Sequence, residues 1–206
     1  MVRIGCTGAI GAGKSTVAAM LSARGAHIVD ADVLARRAVA PGTAGLVAVA
    51  ARFGDGVLRA GGELDRAALA AIVFADPVAR RDLESIVHPA VQEAIDAELA
   101  TLDDDRVAVL DVALLVETDG RSCYGLDGVL VVDAPEELCI ERLVEGRGMS
   151  EGDARARLAA QIDRGERLRA ADFVIINLGT LEELEEMVDR AWAWIVAVAA
   201  ERRADS

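Results

Sequence analysis

The residues with the most specific chemistry are Gly8-Ala-Ile-Gly-Ala-Gly-Lys-Ser-Thr16, which carry the spacing G-x-x-x-x-G-K-[ST]. Glycines so spaced let successive backbone N–H groups turn inward on phosphate oxygens. A helix starting at the lysine adds its own unpaired N–H groups and its positive dipole end. In this arrangement Lys14 reaches the outer phosphates and the Ser15 hydroxyl is a ligand for Mg²⁺. Gly8, Gly11, Ala12, Gly13, Lys14, Ser15 and Thr16 are therefore read as an ATP-binding loop. The dinucleotide pattern G-x-G-x-x-G does not fit, because Thr16 stands where its third glycine belongs. The chain has 21 arginines and a single lysine, and that lysine is Lys14. A compact ammonium, where a planar guanidinium fork would not serve, is the physical reason for such an exception.

A second set of residues ends or follows apolar runs. Asp30 and Asp32 close one such run, Asp111 another, Asp133 a third and Asn177 a fourth. Asp32 is placed either to take a proton from an acceptor hydroxyl or to cap the following helix. Asp30 reads as support for the turn or for the Mg²⁺ shell. Asp111 stands either as a Walker-B-type carboxylate or as ordinary strand termination. Glu117, after Leu114-Leu-Val, faces substrate or solvent. Arg142 and Arg147 flank a turn with Gly146 and Gly148, the pattern of a lid that closes guanidinium forks on phosphates. A solvated helical face accounts for Arg155 and Arg157. His88 before Pro89 reads as structural on physical grounds alone.

These residues need strand ends to hold them. Apolar runs at 2–7, 26–30, 106–112, 126–133 and 173–177 read as strands, alternating with helical patterns. Alternation that begins strand–loop–helix predicts an α/β fold: a doubly wound parallel five-stranded sheet of the P-loop NTPase type, with a helical insertion and a helical lid. Ligands in such sheets lie beyond the carboxyl ends of the strands, where the residues above fall. One domain is expected over 1–206, with core 1–59, 103–134 and 168–200, an insertion at 60–102 and a lid at 135–167. Local signals predict Asp65 as the cap of a helix beginning at Arg66, and a helix from 77 interrupted at His88-Pro89. They also predict capping boxes at Ser150 and Thr180, and a single helix from 151 to about 167. The closing helix places Leu181, Leu184, Val188, Ala191, Ile195 and Val198 on one face, followed by a frayed tail at 201–206.

Composition narrows the classes further. A net charge of −13 and 3% aromatic residues over 206 positions argue against a nucleic-acid partner. No apolar run approaches a membrane span; the longest, 191–200, is about half of one. Cys6, Cys123 and Cys139 form no disulfide or zinc pattern. A strand starting at residue 2 leaves no room for a signal peptide, so a cytoplasmic location is expected. No interface is visible, and a monomer or weak homo-oligomer is expected.

Across nearly its whole length the sequence resembles the dephospho-CoA kinase family. The loop pattern T-G-x-I-G-x-G-K-S-T stands at 7–16, and D-A-D-x-x-A-R at 30–36, followed by Pro41-Gly42. I-x-H-P stands at 86–89 with Arg80 and Leu83 before it, and L-L-x-E at 114–117. The lid element Arg142 to Arg147, then Gln161, then A-D-x-x-I-x-N at 171–177 complete the set. Ala113 replaces the family's usual Pro, and Cys139 stands where Gln is frequent. The resemblance implies transfer of the ATP γ-phosphate to the 3′-hydroxyl of dephospho-coenzyme A, with Mg²⁺. It implies Asp32 as the catalytic carboxylate beside Lys14, a lid with Arg142 and Arg147, Asn177 on the ATP side, and the 60–102 insertion as acceptor domain with Arg80 and His88. Glu117 joins the acceptor residues. A kinase of nucleosides or nucleoside monophosphates would share the core but leave the H-P element unexplained. A regulatory nucleotide switch would leave Asp32 without a role.

Overall fold

The chain alternates strands and helices: β1 (Val2–Gly8), α1 (Lys14–Ala23), β2 (His27–Asp30), α2 (Ala31–Ala38), α3 (Ala44–Phe53), α4 (Arg66–Ala75), α5 (Pro77–Leu99), β3 (Val107–Asp111), α6 (Gly120–Cys123), β4 (Gly128–Asp133), α7 (Glu136–Arg147), α8 (Glu151–Ala159), α9 (Arg164–Arg169), β5 (Phe173–Ile176) and α10 (Leu181–Ala204). These elements come from a computed structural model that describes residues 1–118 and 120–204. Two compact units emerge, one of residues 1–29 and 102–206, the other Asp30–Thr101.

In the first unit the strands form one sheet in the order β2-β3-β1-β4-β5. β1 pairs in parallel with β3 and with β4, and β4 pairs in parallel with β5. β3 and β4 are buried along their whole length, as continuous apolar runs in a parallel sheet require. The core joins Ile4, Val17, Leu21, Val109, Leu130 and Ile175 to Leu184, Val188, Ala191 and Ile195 of α10. Trp194 stacks on Phe173 with ring centroids 5.4 Å apart, a packing role. Leu181, assigned by periodicity to the buried face of α10, is 66% exposed as the first residue of that helix. Thr180 and Glu183 form the expected capping box: the Thr180 hydroxyl accepts the Glu183 N–H at 3.3 Å, and the Thr180 N–H donates to the Glu183 carboxylate at 2.8 Å. At its other end α10 continues to Ala204 through residues expected to fray. Arg203 there donates to the Asp105 carbonyl at 3.0 Å and Arg202 pairs with Asp127. Residues 205 and 206 lie outside the described residues.

The stretch expected to be one helix from 151 to 167 is two. Ser150 caps α8 as expected, accepting the Asp153 N–H at 3.1 Å. The helix then ends at Ala159, and Asp163 caps a new one by accepting from Gly165 and Glu166. Ala160 still donates to the Ala156 carbonyl as the C-cap of α8, and Gln161 and Ile162 lie between the two helices.

The second unit is helical. Its core gathers Val39, Leu46, Val49, Val57, Leu64 and Leu69, with Leu83, Ile86 and Val87 of α5 packed on them. α2, α3 and α4 all pack on α5. That is why the unit begins at Asp30, whereas the sequence reading began its insertion at residue 60. Asp65 caps α4 as expected, accepting from Ala67 and Ala68 at 3.0 and 3.1 Å. α5 contradicts the interruption expected at His88-Pro89, because it runs unbroken from Pro77 to Leu99. Proline removes one helical N–H and crowds the carbonyl four residues back, a cost of about 3 kcal/mol. Burial of Ala79 before it and of Val91, Ile95 and Leu99 after it keeps both halves in one helix.

Candidate active site

Between β1 and α1 the chain folds into a nest of backbone donors. Gly11 and Gly13 have φ of 82° and 100°, left-handed values that L side chains rarely adopt. A Cβ at Gly11 would lie 2.6 Å from the Cys139 carbonyl oxygen, and one at Gly8 2.5 Å from that of Val132. Gly13 is the N-cap of α1, with no side-chain cap and no acid in the first turn. Among the described residues the N–H groups of Gly11, Gly13, Lys14 and Ser15 find no partner. Four open donors at a helix N-terminus form a site for an anion such as a polyphosphate.

The side chains around the nest are held in place. Lys14 pairs with Asp111 at the end of β3. Ser15 and Thr16 are exposed on the first turn of α1. The Thr7 hydroxyl donates to the Ala113 carbonyl at 3.2 Å, tying the end of β1 to the chain leaving β3. Beneath them the Cys6 thiol is pushed up to about 12, first by burial and then by the charge of Asp111, with Lys14 acting weakly against both. It is a neutral packing group, not a nucleophile.

From the far side, Asn177 follows β5 and donates its side-chain amide to the Ala12 carbonyl at 2.8 Å. Arg142 of α7 donates to the Asn177 side-chain oxygen at 3.2 Å, to its backbone oxygen at 3.3 Å and to the Ala12 carbonyl at 3.5 Å. Arg147 ends α7 and is exposed, with no ion pair among the described residues. Gln161, in the break between α8 and α9, accepts the Ile10 N–H at 2.9 Å. Its neighbour Ile162 donates to the Glu117 carboxylate at 3.2 Å, so Glu117 steadies this break. A cavity of about 390 Å³ lies here, lined by Ala9, Cys139, Gln161, Arg164 and Arg167 among others. Arg164 grips Asp133 with two bonds of 2.9 and 2.6 Å, and that carboxylate raises the arginine's pKa. Gln161 had no structural signal in the sequence, since it sits in a stretch with helical pattern. Only the family resemblance pointed to it.

The loop unit thus brings together Gly8, Gly11, Ala12, Gly13, Lys14, Asp111, Arg142 and Asn177. Asp32, Arg80 and His88 belong to the helical unit. Asp30 takes the capping role left open for Asp32, accepting the Val33 N–H at 2.9 Å. Asp32 is exposed in the first turn of α2 with no hydrogen bond among the described residues. Arg80 pairs with Glu84 at 3.5 Å one turn along α5, and His88 is exposed just before Pro89. Among the described residues no cluster of three or more His, Cys, Asp or Glu forms a metal cage. The donors at hand are the Ser15 hydroxyl and the Asp111 carboxylate. They suit Mg²⁺, which uses one or two carboxylates plus substrate phosphates and keeps several waters.

A parallel sheet of this order, with a lysine-bearing glycine loop after its central strand, is the architecture of the P-loop kinases. The dephospho-CoA kinase family model matches residues 2–183, and the chain belongs to that family, which catalyses the last step of coenzyme A biosynthesis with ATP as a substrate. A dephospho-CoA kinase from Streptomyces avermitilis is 50% identical over 197 residues, covering 95% of each chain. One from Frankia casuarinae is 48% identical over 197 residues, 96% of this chain and 85% of its relative. The crystal structure of TT1252 from Thermus thermophilus superposes with a TM-score of 0.83 at 38% identity, covering 93% of this chain and 96% of the other. Among the described residues no helix is long and apolar enough to cross a membrane.

Proposed function

We propose that this chain transfers the γ-phosphoryl group of ATP to the 3′-hydroxyl of dephospho-coenzyme A, releasing ADP and coenzyme A. The observation that carries the donor half is the nest of four open N–H groups beside Lys14. The acceptor oxygen attacks the γ-phosphorus, and the bond from that phosphorus to the β–γ bridging oxygen breaks. Asp32 takes the hydroxyl proton, and its carboxylate is suited to this because it is exposed and makes no hydrogen bond among the described residues. Gly8, Gly11, Ala12, Gly13, Ser15 and Thr16 hold the triphosphate with Lys14, and Asn177 completes the ATP side. Arg142 and Arg147, on a lid at 135–167, neutralise charge on the transferring group.

Ser15 and Asp111 would hold Mg²⁺, which when bound would offset the charge of the outer phosphates. Lys14 would leave Asp111 for a phosphate oxygen, so that the ammonium keeps an anionic partner. Arg80, His88 and Glu117 serve the acceptor, the first two from the helical unit. We place the protein in the cytoplasm as a monomer or weak homo-oligomer, acting on these small molecules with no nucleic-acid or membrane partner.

The test is ADP release from Mg²⁺-ATP with dephospho-CoA, adenosine, AMP, CMP or buffer. Turnover confined to dephospho-CoA and lost in Lys14→Ala is the expected result. Preference for a nucleoside or nucleotide would overturn the acceptor assignment, and acceptor-independent hydrolysis would point to a switch.

A further inference from the structure

We infer that Asn177 is a positioning residue for the phosphate loop: it turns one peptide plane so that the Gly13 N–H points into the nest. The inference rests on the reading that this loop takes the phosphates of ATP. In a trans peptide the C=O and the N–H of the same plane point in opposite directions. Among the described residues there is no cis bond, so the Ala12 carbonyl and the Gly13 N–H obey this rule. Asn177 donates to the Ala12 carbonyl at 2.8 Å, with Arg142 at 3.5 Å beside it, and holds that oxygen on the outer side of the loop. The Gly13 N–H is thereby aimed the other way, toward the position an anion would take.

The orientation of the Asn177 amide follows from its partners. A carbonyl only accepts and a guanidinium only donates. The nitrogen must therefore face Ala12, and the oxygen must face Arg142, 3.2 Å away. Asn177 itself is 6% exposed, and its backbone N–H is fixed on the Asp133 carbonyl at 2.8 Å. A Cβ on Gly13 would collide with the Asn177 amide nitrogen, so this side chain and the bare glycine form one arrangement. Asn177 therefore acts on the phosphates through the loop and not through the nucleoside.

The discriminating change is Asn177→Asp, nearly isosteric, which keeps the acceptor for Arg142 and removes the donor for Ala12. The measurement is the inhibition constant of inorganic tripolyphosphate against ATP, at saturating dephospho-CoA and fixed Mg²⁺, alongside the KM for ATP. Both constants are expected to rise by the same factor, about tenfold or more. Asn177→Ser, neutral and too short to reach Ala12, should show the same joint rise, which keeps the test available if the Asp variant does not fold. A rise for ATP with tripolyphosphate unchanged would assign Asn177 to the nucleoside and overturn the inference, as would no change in either constant. The underlying reading is checked separately. If the unmodified enzyme is indifferent to tripolyphosphate, or Lys14→Ala leaves its inhibition intact, the phosphate-loop assignment itself fails.

Discussion

Polar side chains work at different ranges around the phosphate loop and at the helix starts of the second unit. Around the phosphate loop, Asn177, Gln161 and Arg142 reach backbone groups 165, 151 and 130 residues away in sequence. In the helical unit, Asp30, Thr43, Asp65 and Asp76 each cap a helix two or three residues further on. A capping bond closes a short ring, and its effect stays within one helix end. The loop ties instead transmit the packing of β5, α7 and the α8–α9 break to a few peptide planes. Changes in the first region should therefore register in nucleotide affinity, and changes in the second in stability or acceptor turnover.

The sharpest break in that contrast pairs Asp32→Asn with Lys14→Ala. Each should cut turnover with dephospho-CoA by about 10²–10³-fold, measured as ADP release. Only Lys14→Ala should also abolish inhibition by tripolyphosphate, and equal loss of inhibition in both variants would remove the division of labour. Gln161→Leu keeps the volume but strands the Ile10 N–H. The KM for ATP should rise about five- to tenfold, with kcat changed less; Gln161→Glu, which keeps an acceptor, should recover part of it. In the helical unit, Pro89→Ala restores a helical N–H inside α5 and should raise stability by up to about 3 kcal/mol, read from denaturant melts. A fall would show that the proline contributes to packing. The smallest effect concerns Asp65, whose pKa is lowered chiefly by the Ala68 N–H it caps. A depressed folded-state pKa means the contribution is complete above the ordinary carboxylate range and is lost as pH falls through the folded value. The melting temperature of Asp65→Ala should lie below that of the unmodified chain near neutrality, and the gap should close toward acid.

Legibility followed the same division. The five strands, the glycine loop and the caps at Asp65, Ser150 and Thr180 were readable because each signal lies within a few residues of its effect. Asp30, not Asp32, proved to be the cap of α2, a distinction of two residues that composition cannot make. The α8–α9 break was hidden because residues 160–163 have no glycine or proline. Their departure from helix rests on Asp163 capping α9 and on Gln161 and Ile162 finding partners at Ile10 and Glu117. Pro89 misled in the opposite direction. A strong local breaker lost to burial on both sides of it.

By itself, then, the sequence determined an α/β chain with a phosphate loop on a strand-to-helix turn, because hydrophobic period and left-handed glycines act locally. It also carried the family, through motifs held in order along the chain. Only the tertiary structure decided that Asp111 receives Lys14 and that Asn177 and Arg142 hold the Ala12 carbonyl. It alone placed residues 30–59 with the helical unit. Those outcomes depend on bonds and packing between groups far apart in sequence, and no local pattern specifies which distant partner a buried polar group will meet.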